Sequence, residues 1–143
     1  MNGAEAVAAA VTFLWLGMVL AISFLEAPLK FRAPGVTLQV GLGIGRVVFR
    51  GLNSAEAVLA ALIIVTMITG TPPAWFLVPA AVAMAVLGVQ LVAVRPRLAR
   101  RSDAVLSGAD APRSRSHHAY IALEVIKVLA LLAAGITVLA FPR

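Results

Sequence analysis

Four apolar stretches, at about 6–27, 50–69, 74–94 and 120–140, leave this chain few ways to fold. Each is close to the ~20 residues that, wound at about 1.5 Å per residue, cross the hydrocarbon core of a bilayer. Inside lipid a backbone must satisfy its own polar groups, so a helix is the form such a stretch takes. The pattern predicts an all-α integral membrane protein, a four-transmembrane-helix bundle occupying residues 1–143 as one domain. Composition points the same way, with 62% hydrophobic residues and 13% charged, against about 45–50% and about 25% in soluble domains. The absence of Cys removes disulfides, thiolate metal sites and cysteine nucleophiles together.

A net charge of +6 would suggest nucleic acid in a soluble protein, but here its distribution reads as topology and no nucleic-acid partner is expected. Lys30, Arg32, Arg46 and Arg50 separate the first two spans, and six Arg against two Asp occupy 95–115. The other side carries only Arg143. A multi-pass protein of the cell (inner) membrane is expected, with both termini outside and the basic loops cytoplasmic. Glu5 precedes the first span and basic residues follow it, the reverse of a secretory signal, so a retained helix is expected.

Residues 95–116 read as a hydrophilic loop that meets anionic headgroups. Residues 36–45 alternate like a strand, but a lone strand at a bilayer would leave its backbone unpaired. An interfacial segment between helices 1 and 2 is therefore expected. Gly41, Gly43 and Gly45 fail the dinucleotide fingerprint, because Arg46 stands where its third spaced glycine belongs, and close helix packing is the better account.

The candidate site lies on two polar stripes. His117, Tyr120, Glu124 and Lys127 fall within about 80° on a helix, and Arg46, Arg50, Asn53 and Glu56 within about 120°. Glu26 and Lys30 end the first span at the same level. These ten residues are the ligand-binding candidates, since ionisable groups are costly in lipid and face protein or a wet cavity. They suit either mutual neutralisation or a cytoplasm-facing polar pocket. Lys30, Arg46, Arg50 and Lys127 outnumber Glu26, Glu56 and Glu124 by one, which favours an anionic guest. Adjacent His117 and His118 point about 100° apart and do not share a metal, so no metal site and no catalytic residue is singled out. No cofactor is identified.

The segments WLGMVLAISFLEAPLKFRAP, GRVVF, RPRL and HHAYIALEVIKVLAL resemble a four-helix membrane family allied to the copper-resistance protein D superfamily. That resemblance implies a four-helix bundle with both termini on one side and no particular reaction. The Met and Cys clusters of copper proteins are absent. Arg50, Asn53 and Glu56 are also similar to the Arg…Asn…Glu run of the membrane-associated eicosanoid and glutathione metabolism family, with the first spacing one residue shorter. That second resemblance implies a homo-oligomer and glutathione chemistry. The expected function is a small polytopic membrane protein that binds or transports a small anionic or amphipathic ligand. A glutathione-dependent membrane transferase and an accessory or structural subunit of a membrane complex are the alternatives.

Overall fold

The computed structural model describes residues 1–109 and 115–142. Four long helices make up the chain: α1 (Gly3–Arg32), α2 (Leu38–Thr69), α3 (Ala74–Leu106) and α4 (Arg115–Ala140). All four are long and apolar enough to cross a membrane. The protein is a polytopic, all-helical membrane bundle.

Local chemistry sets the helix ends. Asn2 and Glu5 form a capping box, with the Glu5 amide donating to Asn2 Oδ1 at 2.9 Å and the Asn2 amide to Glu5 Oε2 at 3.0 Å. Between α1 and α2 the chain turns through Pro34 and Gly35, whose φ of 80° suits glycine. Thr37 then caps α2 by accepting from the Val40 amide at 3.2 Å. The pair Pro72–Pro73 ends the connection into α3, and the turn after α3 uses Gly108 at φ 96°.

The helices run farther than the spans read from sequence. Residues 38–49, expected as a separate interfacial segment, are the first three turns of α2. Their strand-like alternation conceals a helical face: Gly41 and Gly45 lie four residues apart, and both receive the end of α1. A Cβ on Gly41 would strike the Phe31 ring, and one on Gly45 would lie 3.0 Å from Lys30 Nζ. The basic stretch 95–106, expected as loop, continues α3 as helix, and only Ser107–Ala109 turn away from it. Residues 110–114 of the expected loop, Arg113 among them, and Arg143 lie outside the described residues.

Two helices contain widened π turns, at Leu20–Glu26 in α1 and Gln90–Val94 in α3. The Ala27 amide donates to Ile22 O, and the Arg95 amide to Gln90 O, each five residues back. A proline follows each turn at once, Pro28 or Pro96. Its ring collides with the carbonyl four residues earlier in a regular helix, and the extra residue makes room for it.

In the bundle α4 packs on α3 and α1, and α2 packs on α1 and, at its first turns, on the last turns of α3. The backbones of α2 and α4 are thus diagonal partners. The termini share one end: a small cleft there is lined by Asn2, Glu5, Gly70 and Val138, and the Trp75 and Phe141 rings lie 6.0 Å apart. The apolar core fills that end and the middle, around Trp15, Ile63, Phe76, Leu131 and Val138. Alanines at 8, 9, 80, 83, 130 and 134 bring the helix axes close. Gly135 admits the Phe13 ring, which would lie 2.6 Å from an added Cβ.

Candidate functional site

Below the apolar core, four helices send polar side chains to one buried point. Lys127 from α4 is at its centre. Its Nζ contacts Glu56 Oε2 of α2 at 2.5 Å, Glu124 Oε1 at 2.6 Å and Gln90 Oε1 of α3 at 2.8 Å. Trp15 Nε1 of α1 donates to Glu56 Oε2 at 2.8 Å. Glu124 also accepts from Ser23 Oγ at 2.7 Å and Gln90 Nε2 at 3.3 Å. The side chains of Glu56, Glu124 and Lys127 are at most 1% exposed. Long side chains from α2 and α4 meet here across the diagonal that their backbones leave open.

The two π turns supply two of the five side chains around Lys127. Ser23 lies in the first and Gln90 opens the second, and both hold Glu124. Each widened turn adds a residue, so it rotates the side chains beyond it by about 100° relative to a regular helix.

Beyond the cluster, toward the basic end, the four helices splay around a cavity of about 1020 Å³. Its apolar walls include Phe24, Phe31, Leu42, Phe49, Leu91 and Ile121. Its charged lining is Lys30, Arg46, Arg50, Arg95 and Arg101, with Glu124 as the acidic group. Asn53, His117 and Tyr120 also face it. Arg95 packs against two rings, its Cζ 4.3 Å from the Phe49 centroid and 4.7 Å from that of Tyr120. Those rings meet edge to face at 5.9 Å. Arg95 Nη2 reaches Tyr120 Oη at 3.4 Å, while its Nε is buried without a hydrogen-bond partner.

Nine of the ten residues read from sequence divide between these two places. Glu56 and Lys127 are sealed in the cluster, and Glu124 belongs to both, closing the cluster and lining the cavity. Arg46, Arg50, Asn53, His117, Tyr120 and Lys30 line the cavity. Glu26 lies 3.8 Å from Lys30 and is otherwise outside the lining. Arg46, expected to await a guest, is bound to Asp103 at 2.6 Å. The single layer with a spare cation is therefore replaced by two sites of opposite sign. The buried one has two carboxylates for one ammonium, and the cavity is predominantly basic.

Trp15 and Arg95 escaped the sequence reading. Trp15 looks like any core aromatic, and Arg95 like one of a run of loop arginines, because neither signal encodes a partner on another helix. Gln90 did leave a trace, as the one strongly polar side chain of its span. Among the described residues no group of three or more His, Cys, Asp or Glu is arranged to hold a metal ion.

No family model matches the chain, and comparison with curated proteins and with solved structures finds no significant match.

Proposed function

We propose that this membrane protein binds a small amphipathic anion in the cavity at the basic end, for transport or transfer at the membrane. The observation that carries the reading is Arg95. It lines a cavity large enough for a small ligand, packs against Phe49 and Tyr120, and retains a buried, unpartnered Nε. A guanidinium held in place by cation–π contacts is pre-organised to grip a carboxylate, sulfate or phosphate. Arg50 lines the same cavity and makes no ion pair among the described residues. Aromatic and aliphatic walls suit an apolar tail, as ligand sites generally combine such walls with a few directed polar groups. Arginines concentrated at this end assign it to the cytoplasm by the positive-inside rule, so the ligand enters from that side.

Thermal unfolding of the purified protein in a neutral detergent tests this. Single-chain amphiphiles with sulfate, phosphate or carboxylate heads should raise the midpoint, and choline-headed ones of equal chain length should not. Arg95→Gln should abolish the rise, and Arg50→Gln should weaken it. Equal stabilisation by both head types, unaffected by Arg95→Gln, would refute the reading. Adding glutathione with an electrophile separates binding from transferase chemistry, which alone predicts turnover.

A further inference from the structure

The buried cluster has its own charge problem, independent of what the cavity binds. Glu56 and Glu124 are two carboxylates, and among the described residues Lys127 is the one cation in contact with both. The neighbouring groups do not restore the balance. From α1 come Trp15 and Ser23, and from α3 Gln90, all neutral. Tyr120, a turn before Glu124 on α4 and in contact with it, is a neutral phenol, and Arg95 contacts Tyr120 and Phe49 without an ion pair to Glu124 among the described residues. An unmatched charge this deep is costly enough that such groups neutralise instead.

The hydrogen bonds distinguish the two carboxyl groups. Glu124 is surrounded by donors, from Ser23 and Gln90 as well as Lys127. Glu56 takes both of its donors, Trp15 and Lys127, on Oε2. Its Oε1 is buried and has no hydrogen-bond partner, on a side chain that is 0% exposed. A bare carboxylate oxygen in that position is poorly stabilised, whereas the neutral acid is not penalised for its charge.

We propose that Glu56 and Glu124 share one bound proton, resident on Glu56 Oε1, and that it exchanges with the cavity through Lys127 and Glu124. Glu124 touches the cavity and Lys127 bridges it to Glu56, so the route is continuous. In the outward step the Lys127 ammonium gives a proton to Glu124 Oε1. A turn of the Glu56 carboxyl about its soft terminal torsion then brings its acidic oxygen to Nζ, which is reprotonated. One proton has moved from Glu56 to Glu124, Lys127 is again an ammonium, and Glu124 can release the proton to cavity water. The site holds a proton rather than a metal ion, because the Lys127 ammonium occupies the position between the carboxylates.

Infrared spectroscopy of the purified protein, in a detergent without ester carbonyls, provides the test. At neutral pH the unsubstituted protein should show one protonated-carboxyl C=O stretch that shifts in D2O and on ¹³C-glutamate labelling. Glu56→Gln and Glu124→Gln should each lose the band, because either leaves one carboxylate matched to Lys127. Glu26→Gln should keep it. Lys127→Gln should roughly double it, since both acids then need a proton. A neutral-pH spectrum without the band, a band unmoved by the glutamate label, or one that survives either cluster substitution in folded protein overturns the proposal. A band insensitive to D2O overturns the exchange route. The labelling experiment needs no substitution, so it decides even if a variant fails to fold.

Discussion

Lys127 is fully buried, and its ammonium is committed to three side chains, Glu124 on its own helix, Glu56 of α2 and Gln90 of α3. Such an ion is stable only while its partners remain. Lys127→Met should destabilise the protein by about 3–5 kcal/mol, because it leaves the buried Glu124 carboxylate without its cation. Combining it with Glu124→Gln should recover part of that loss, with a coupling of about 0.5–3 kcal/mol in denaturant unfolding of the four proteins of the cycle. Additive effects would mean that the two groups do not form a pair. Ser23→Ala is the milder probe: it removes one hydrogen bond to a charged group, so a cost of about 1.5–3 kcal/mol is expected from the same measurement.

Among the elements, the π turn of α3 has the largest consequence. Gln90 opens it toward the cluster and Arg95 follows it into the cavity, so a single widened turn orients a residue of each site. Deleting Ala93 should restore a regular helix and swing Arg95 and the arginines after it by about 100°. The expected outcome is a folded protein that no longer responds to anionic amphiphiles in thermal unfolding, since the apolar core lies on the other side of the turn. The α1–α4 contact makes a separate demand. Gly135→Val puts a side chain where the Phe13 ring lies, and overpacking there should cost about 1–3 kcal/mol, read as a lower thermal midpoint. Phe13→Ala in the same chain should relieve the clash.

On the scale of the whole molecule, the bundle divides along its axis into a packed apolar end that carries the termini, a charged waist, and an open basic end. An even number of spans returns the chain to the side on which it began. Single cysteines at Asn2 and Phe141 should therefore label alike with an impermeant maleimide, and one at Ser107 oppositely. In intact cells the positive-inside rule predicts that the first two react and the third is protected. Labelling of Ser107 from outside would reverse the entry side proposed for the ligand.

Four apolar runs, their lengths and the segregation of arginine to one end determined the fold class from sequence alone, because lipid permits few structures and helix periodicity is read residue by residue. The same periodicity brought Glu124 and Lys127 onto one face, and Arg50, Asn53 and Glu56 onto another. Only the tertiary structure decided which of those residues are sealed together and which border a cavity. That division depends on the diagonal placement of α2 and α4, which no local pattern encodes. It depends equally on two π turns, which break the 100° step that the sequence reading assumes and so deliver Ser23, Gln90 and Arg95 to their places. Trp15 and Glu56 find each other 41 residues apart for the same reason: their pairing is a property of packed helices rather than of either segment.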